Sequence, residues 1–420
     1  MRIAIIGAGI SGLVCAHMLN SDHDVVVFEA EKRPGGHANT VRVQTEQGAY
    51  DVDTGFIVYN DRNYPNFERL LTQLGVRTQP SQMSFGVSDG VDFEYNGASP
   101  NGLFARRSHA LHPSFHRMVA DLVRFNRQAR ELLASEENPS LREWLAHRSF
   151  SRSFIERLIV PQVSAVWSTD PAQMWSFPAR FMLEFFDNHG MLGFRGRPAW
   201  RTIGGGSRSY VEALIRPWRA RLRTGAAVTA LERHADHVTV RSRTSGNEPE
   251  RFDAAVIATH SDQALALLAD PSDRERELLG AFPYQRNEAV LHTDRSLLPR
   301  RQRAWASWNY HLDAPAQGAC SVTYHMNRLQ ALRSEREFCV TLNRTAVIDP
   351  EQVIDTFHYA HPVFTPAGVR AQQRHHEISG RNRTHYCGAY WGWGFHEDGV
   401  RSALRVVAEL GSKGVPRLSR

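Results

Sequence analysis

The chain has 420 residues, of which 42% are hydrophobic and 22% are charged. These proportions are those of an ordinary globular protein and exclude collagen-like and disordered chains, and the sequence has no run of about twenty apolar residues that could span a bilayer. The formal net charge is +6, but the basic residues are spread along the whole chain, so nucleic acid is not an expected partner. A mild attraction to an anionic substrate or lipid surface is the better expectation.

The first predicted strand leads directly into three spaced glycines. Residues 3–6 are apolar and residues 13–19 have a helical pattern, with Gly7, Gly9 and Gly12 between them. In such a βα turn the first glycine makes the tight turn, the second lets the backbone approach phosphate groups, and the third lets helix and strand pack closely. The spacing is weak evidence alone, because any buried βα turn can contain glycines.

An acidic residue in the expected place strengthens this interpretation. Glu29 ends the second apolar run, residues 25–28, where a carboxylate would meet the ribose hydroxyls of an adenosine. In the following segment the paired Gly35 and Gly36 give a second close approach to a diphosphate, and Arg33 can neutralise phosphate charge. A nicotinamide dinucleotide does not need this second approach, so the pattern favours a flavin dinucleotide. Because the nucleotide strand begins the sequence, we expect no cleaved signal peptide and a cytoplasmic location, with or without peripheral contact at the inner membrane surface.

Further elements follow from apolar periodicity. Residues 48–60 indicate a strand that breaks into a loop at Asp53-Thr-Gly55. The remaining patterns predict these elements: a helix at 63–74, short strands within 76–101, a helix at 115–133, strands at 238–243 and 251–259, and strands at 282–291, 303–312, 319–326 and 337–342.

No metal site is expected. Three histidines have a spacing that could place them on one helix face, namely His109, His112 and His116. Pro113 interrupts that pattern and no carboxylate lies near it. The tract 374–377, Arg-His-His-Glu, is predicted to be a solvated loop, and the four cysteines lack metal or disulfide spacing.

Residues 154–191 are the most aromatic and apolar part of the chain. Two interpretations stay open here. The segment can form the core of a helical substrate domain, as apolar helix faces usually do. It can also form the wall of a long apolar tunnel for a lipid-like substrate, with or without membrane contact.

Together the N-terminal motifs resemble the signature of the flavin-dependent amine oxidase and phytoene desaturase superfamily: Gly7-x-Gly9-x-x-Gly12, Glu29, Arg33-x-Gly35-Gly36 and Asp53-x-Gly55. The chain also resembles bacterial flavoproteins associated with fatty-acid modification. One departure is His37, because the superfamily commonly has arginine directly after the glycine pair. The end of the chain, a strand, a loop rich in glycine and aromatic residues, and a helix that starts near Asp398, resembles the closing flavin segment. Such a helix N-terminus stabilises negative charge on a reduced flavin.

The resemblance implies an α/β fold with a Rossmann-type, GR2-like FAD-binding domain and an inserted α+β substrate domain. The implied FAD-binding domain comprises 1–90, 200–275 and 385–420, and the substrate domain comprises 91–199 and 276–384. The implied FAD contacts are Gly7, Gly9, Ile10, Ser11, Gly12, Glu29, Ala30, Arg33, Gly35, Gly36, His37, Gly55, Phe56, Ile57, Val58, Val228, Gly388, Glu397, Asp398 and Val400.

The implied reaction is hydride transfer from a substrate C–H bond to flavin N5. Many amine oxidases of the superfamily keep a lysine near N5, whereas the lysines here are Lys32 and Lys413, in the phosphate region and the C-terminal tail. This difference favours an apolar fatty acyl or isoprenoid-like substrate. The alternatives are a double-bond isomerase, an amine oxidase and a lipid-binding flavoprotein without turnover. His396 is the candidate for acid–base chemistry, with Tyr390, Trp391 and Trp393 shaping the cavity, and a structural role for each of these residues is the open alternative. The sequence indicates no oligomeric state.

Overall fold

The structure is a computed structural model and describes residues 1–193, 196–246, 248–312 and 319–411. Its strands are β1 (Arg2–Ile6), β2 (Asp24–Phe28), β3 (Thr40–Thr45), β4 (Gly48–Asp53), β5 (Val58–Asn60), β6 (Thr78–Pro80), β7 (Phe85–Ser88), β8 (Glu94–Asn96), β9 (Trp200–Ile203), β10 (Leu222–Arg223), β11 (Val228–Arg233), β12 (Val238–Ser242), β13 (Pro249–Phe252), β14 (Ala254–Ile257), β15 (Tyr284–His292), β16 (Trp308–His311), β17 (Val322–His325), β18 (Cys339–Leu342), β19 (Val353–Pro362) and β20 (Thr384–Tyr386). Its α-helices are α1 (Ile10–Leu19), α2 (Pro65–Gln73), α3 (Pro100–Leu103), α4 (Pro113–Ala134), α5 (Leu141–Ala146), α6 (Arg152–Phe154), α7 (Val160–Trp167), α8 (Ala179–Asn188), α9 (Arg208–Ile215), α10 (Ser261–Leu267), α11 (Asp273–Leu279), α12 (Met326–Leu329), α13 (Pro366–Gln372) and α14 (His396–Glu409).

A parallel sheet of order β10-β2-β1-β14-β20 holds the N-terminal βα unit at its centre. Ile3 of β1 lies between Val25 of β2 and Ala254 of β14. The run from Ile3 to Ile6 is buried, as a strand covered on both faces requires. Helices α1, α9 and α14 cover one face, and the antiparallel strands β11, β12 and β13 cover the other. The predicted α/β fold with a Rossmann-type domain is thereby confirmed.

A second sheet of seven strands has the order β19-β15-β18-β17-β16-β7-β8. Its neighbours are antiparallel except β7 and β16, which pair in parallel. The sequence patterns did not predict β19, because most of its side chains are partly or fully exposed and no apolar alternation marks it. The strands predicted within 303–312, 319–326 and 337–342 are present but shorter.

Helices α4 to α8 form an aromatic layer against this second sheet. Trp144, Phe154, Phe177 and Phe186 are each at most 1% exposed. Most of segment 154–191 therefore belongs to a packed core, as the first of the two interpretations held. A single π-helical turn at Ile155–Ile159 joins α6 to α7.

Two local expectations can be compared with the structure directly. The tract 374–377 is not the predicted solvated loop, because His375 is buried, stacks edge-on against Trp391 and bonds through Nε2 to the Tyr386 carbonyl at 2.7 Å. The four cysteines are buried and free, which confirms their interpretation as core residues. No helix in the described part of the chain is both long enough and apolar enough to cross a membrane.

Candidate functional site

The N-terminus of α1 has the geometry of an anion site. Gly9 occupies the N-cap position, no side chain caps the helix and its first turn contains no acidic residue. A Cβ atom added at Gly12 would lie 1.9 Å from the Gly7 carbonyl oxygen, whereas one added at Gly9 would meet no atom within 4 Å. Gly12 is thus required for packing, and Gly9 borders open space. The exposed N–H groups and the helix dipole favour a phosphate there.

The paired glycines pack against this turn. The Gly35 N–H donates to the Ala8 carbonyl at 2.8 Å, and Gly36 lies against the Cα of Gly9. Both glycines have positive φ, +118° and +56°, which other residues rarely adopt. The Arg33 guanidinium donates to the Gly36 carbonyl at 3.0 Å, so Arg33 braces the turn from the protein side.

The expected adenosine end lies at the carboxyl end of β2. The Glu29 carboxylate accepts hydrogen bonds from the N–H groups of Ala8 and Glu31, at 2.8 and 2.9 Å. Burial raises the pKa of Glu29, and these hydrogen bonds oppose the rise. The Glu29 carbonyl accepts from the N–H of Ala226, two residues before Val228, so the two predicted adenosine contacts are neighbours. Ala30 beside them is exposed.

The loop after Asp53 continues the site toward the chain's C-terminal helix. The Phe56 N–H donates to the His37 carbonyl at 2.8 Å, and a Cβ added at Gly55 would lie 2.1 Å from the same oxygen. The Phe56 ring stacks on His396 with 3.4 Å between centroids and 15° between planes. Ile57 is buried, and Val58 begins β5.

The two ends of the chain meet directly at the N-termini of α1 and α14. The Ser11 hydroxyl donates to the Gly399 carbonyl at 3.0 Å, and Gly399 also packs against Ile10. Val400, one residue further, has its side chain buried in the core. At the end of β20 the Gly388 N–H donates to the Ser402 hydroxyl at 3.1 Å. Segments nearly 400 residues apart thus contribute to one site.

The two acidic residues at the start of α14 are used within the protein. The Glu397 carboxylate accepts from the N–H groups of Asn66 and Phe67, at 3.1 and 2.9 Å, and so caps α2. Asp398 accepts from the Phe395 N–H at 3.1 Å and from Arg401 at 2.8 Å. Burial raises the pKa of Asp398 to about 6. Any cofactor contact from this turn therefore comes from backbone N–H groups rather than from these carboxylates.

His396 and Tyr390 are both buried and packed among other side chains, and their predicted roles at the active site stay predictions. Burial lowers the pKa of His396 to about 3, and its Nε2 is hydrogen-bonded to the Tyr210 hydroxyl at 2.7 Å. A group so buried and engaged is a poor acid or base at neutral pH. Tyr390 is 3% exposed and packs on Phe282 and Trp391 in the core between the parallel sheet and strands β11 to β13.

Trp393, a predicted cavity residue, lies where the loop before α14 packs against helix α8. Its ring lies 6.2 Å from that of Phe181 and 6.3 Å from that of Phe185, both on α8. Its carbonyl accepts from the Trp167 indole at 3.2 Å. Phe395 stacks on Phe185 at 5.0 Å. The loop before α14 thus joins the cofactor region to the aromatic helices.

Sequence reasoning missed the partners of two polar groups beside the site, Asp53 and His37. Asp53 is fully buried and accepts from Thr40, from Ser207 at 2.8 Å and from Gln330 at 2.9 Å. Burial raises its pKa to about 6. Nothing in the sequence marked Gln330, which directly follows the distant helix α12. The second group is a set of histidines around His37. The one sequence feature that pointed to it was His37 itself, which stands where the superfamily commonly has arginine.

The residues present fit a bound FAD. The open space at Gly9, the uncapped helix α1, the paired glycines and the carboxylate at the end of β2 follow one another in the order of a dinucleotide's phosphates and ribose. The described residues hold no group of three side chains arranged to bind a metal ion.

Comparison with known proteins decides the family. The family model described as flavin containing amine oxidoreductase matches residues 10–302, well over half of the chain. The chain belongs to this family. The predicted recognition and the predicted cofactor, FAD, are confirmed, and the protein is a member of a family of FAD-dependent oxidoreductases.

One relative is a Mycobacterium tuberculosis protein named as a candidate flavin-containing monoamine oxidase, AofH, which is 26% identical over 286 residues. The alignment covers 64% of this chain and 59% of that protein, so the match spans less than two thirds of the relative's length.

Solved structures share the whole fold at low identity. Cyclohexylamine oxidase from Brevibacterium oxydans IH-35A superposes with a TM-score of 0.68 at 17% identity, over 97% of this chain and 99% of that one. A candidate protoporphyrinogen oxidase from Exiguobacterium sp. 255-15 gives 0.70 at 17% identity, over 97% and 98%. A fatty acid isomerase from P. acnes that produces CLA gives 0.66 at 14% identity, over 98% of each chain. These similarities establish the fold alone.

Proposed function

We propose that this flavoprotein oxidises an apolar carbon chain, fatty acyl or isoprenoid-like, by removing hydride from a C–H bond. When bound, FAD supplies the hydride acceptor at N5. The second hydrogen leaves the substrate as a proton, and a terminal acceptor such as dioxygen reoxidises the flavin. The observation that carries the proposal is an aromatic wall next to the N-terminus of α14.

The wall comprises Trp393, Phe395, Phe181 and Phe185. Trp393 and Phe395 are partly exposed and belong to the loop that immediately precedes α14. Phe181 and Phe185 are buried on α8, and the rings contact each other at centroid distances of 5.0 to 6.3 Å. Aromatic rings without a charged neighbour favour contact with an apolar chain and exclude water from it.

Charge around the wall argues against an ammonium substrate. Two carboxylates that follow the wall in the chain, Glu397 and Asp398, already accept backbone N–H groups and Arg401, so neither is free to pair with a cation. Lys32, the lysine among the described residues, is exposed beyond the end of β2, and Lys413 lies outside the described residues. The names of the structural neighbours include amine oxidases as well as a fatty acid isomerase, and at 12–17% identity they do not choose between these substrates.

One observation favours an isomerase as the second candidate. Net oxidation must deliver a proton to a base, yet His396 is engaged with Tyr210, Tyr390 is in the core and Trp393 is not a base. A double-bond isomerase that takes a hydride and returns it to the same chain needs neither a base nor an external acceptor. Both candidates use the same wall.

Anaerobic mixing of the FAD-loaded protein with matched substrates tests the proposal. Oleic acid, its coenzyme A thioester and an isoprenoid alcohol are compared with oleylamine and cyclohexylamine. Lasting bleaching of the oxidised flavin band by an acyl or isoprenoid compound is the expected result, whereas bleaching by the amines alone would overturn it. A shifted double bond without lasting bleaching supports the isomerase.

A pair of variants locates the chemistry. Trp393→Ala should slow bleaching at least tenfold, because it opens the wall to water. Trp175→Ala, which removes a partly buried indole stacked on Arg142 outside the wall, is the matched control. Equal rates in the two variants would place the substrate elsewhere.

A further inference from the structure

Three histidines from three separate elements meet beside the glycine turn. His37 follows the paired glycines, His260 precedes α10, and His361 is in β19. The ring centroid of His37 lies 5.3 Å from that of His361 and 5.8 Å from that of His260. The Tyr359 ring stacks on His37 at 5.0 Å. We call His37, His260 and His361 the histidine cluster.

The histidine cluster is adjacent to the phosphate turn of α1. His37 directly follows Gly36, which packs on the Cα of Gly9. His260 comes two residues after Ala258, which packs against Gly7 and Gly12. The backbone next to two members of the histidine cluster, His37 and His260, thus packs against the glycine turn where an anion would bind.

The cluster is neutral in the protein without an anion. Burial lowers the pKa of all three imidazoles, that of His361 to about 4, and the neighbouring imidazoles lower that of His37 further. The His361 ring is held by the Asn287 side-chain amide at 2.9 Å. The Nε2 atom of His37 is buried and has no hydrogen-bond partner among the described residues. This nitrogen is available to take a proton.

Among the residues that the structure describes, the other charged and titratable groups around the cluster do not supply a fixed cation to it. Arg33 donates to the Gly36 carbonyl and pairs with Glu31, at 3.0 and 3.4 Å. Asp262 lies beyond His260 and favours its charged form, while neutral His396 faces His37 from α14. Burial raises the pKa of Tyr284 and of Tyr359, so both stay neutral.

We propose that the histidine cluster is a proton-accepting counter-charge for the FAD diphosphate, so that binding of FAD draws a proton from solvent onto the cluster. A nearby negative charge stabilises imidazolium over imidazole. An arginine after the glycine pair would carry its charge at every pH, whereas this cluster becomes positive when the diphosphate arrives. FAD affinity then falls as pH rises, by up to about tenfold per pH unit for one linked proton.

Nearby carboxyl groups produce the same sign of pH dependence and have to be separated from the cluster. The pKa values of Glu29 and Asp398 are raised, and an arriving diphosphate would raise them more. Histidine variants distinguish the two sources, because they leave these carboxyl groups in place.

The test measures FAD dissociation from the holoprotein by flavin fluorescence between pH 6 and 8.5. Proton uptake is measured by calorimetry of FAD binding to the deflavinated protein in buffers of different ionisation enthalpy. The wild type should lose at least tenfold in affinity across this range and take up a proton near pH 7. An affinity that does not change with pH, without proton uptake, would overturn the proposal.

Three variants assign the proton. His37→Gln should bind FAD more weakly at pH 6 and lose most of the proton uptake, whereas the FAD affinity of His37→Arg should fall much less with rising pH than that of the wild type. His376→Gln, which changes an exposed histidine outside the cluster, should behave as the wild type. Unchanged uptake in His37→Gln would assign the proton to the carboxyl groups and contradict the proposal. Should a His37 variant fail to fold, His361→Asn gives the same comparison.

Two ligands locate the source of the negative charge. ADP-ribose carries the bridging diphosphate without the flavin ring and should draw the same proton. Riboflavin carries the ring without the diphosphate and should not. Proton uptake with riboflavin alone would contradict the assignment. These measurements need no substrate turnover, so their outcome does not depend on whether the proposed oxidation is correct.

Discussion

The cofactor region and the region of helices α4 to α8 are held together in different ways. Around the N-terminus of α1, backbone groups touch each other through glycines, as at Gly12 and Gly55. In helices α4 to α8, buried aromatic rings such as Phe154 and Phe186 fill the space. The first arrangement restricts residue type at fixed spacings, and the second requires only apolar volume.

This difference explains which parts could be predicted from the sequence. The order Gly7, Gly9, Gly12 and Glu29 predicted a strand, a turn, a helix and a second strand that the structure contains. Only glycine fits where an added Cβ would lie 1.9 Å from a carbonyl oxygen, so such a position can be recognised in a single sequence. The packing of a buried phenylalanine produces no comparable pattern in the sequence.

The catalytic predictions had less support in the sequence for the same reason. His396 was chosen for its chemistry and position, but its burial and its bond to Tyr210 depend on distant segments. Gln330 and His361 were missed because their partners, Asp53 and His37, lie about 280 and 320 residues away in the chain. The local periodicity of apolar residues does not indicate long-range contacts of this kind.

The largest expected effect is in the aromatic region. Phe154→Ala should reduce the free energy of unfolding by about 3–5 kcal/mol, since a fully buried ring leaves a cavity. FAD affinity of the folded fraction should be unchanged. Chemical denaturation and flavin fluorescence measure both quantities. Val123→Ala, at a 56% exposed position of α4, is the control, and an equal loss there would contradict the packing account.

Two glycine variants sharpen the comparison at the cofactor region. Gly12→Ala should destabilise the protein by about 3 kcal/mol, because the new methyl group overlaps the Gly7 carbonyl. Gly9→Ala meets no protein atom, so stability should hold while FAD affinity drops. Unfolding curves of the deflavinated proteins and FAD titrations separate these effects. An unchanged FAD affinity in Gly9→Ala would mean that the phosphates do not approach this glycine.

A third variant tests the cap that α14 places on α2. Glu397→Gln replaces a carboxylate that accepts two backbone N–H groups, and should cost about 1.5–3 kcal/mol. Hydrogen exchange should quicken at the start of α2 and remain unchanged in α4. Equal exchange at the start of α2 in the variant and the wild type would show that Glu397 does not stabilise that helix.

The smallest effect concerns pH and the second sheet. Burial lowers the pKa of His292 to about 4, and its Nε2 bonds to Thr341 at 2.7 Å. The unfolded chain binds a proton at this histidine more readily than the folded one, so the contribution to stability is present above pH 6.5 and is lost as pH falls toward 4.

His292→Gln should therefore flatten the loss of stability between pH 6.5 and 4, by up to about 1.4 kcal/mol per pH unit. Denaturant unfolding at four pH values measures the slope. His358→Gln, at a histidine whose side chain is 76% exposed in the same sheet, should leave it unchanged. If both variants flattened the loss of stability equally, the burial of His292 would not be its cause.

Hydrogen–deuterium exchange of the protein with and without FAD tests most directly the claim that distant segments form one cofactor site. The structure predicts slower exchange at four separated segments, residues 6–12, 33–37, 54–57 and 395–400, with no change in α4. Protection confined to the N-terminal segments, with none at the start of α14, would contradict the claim.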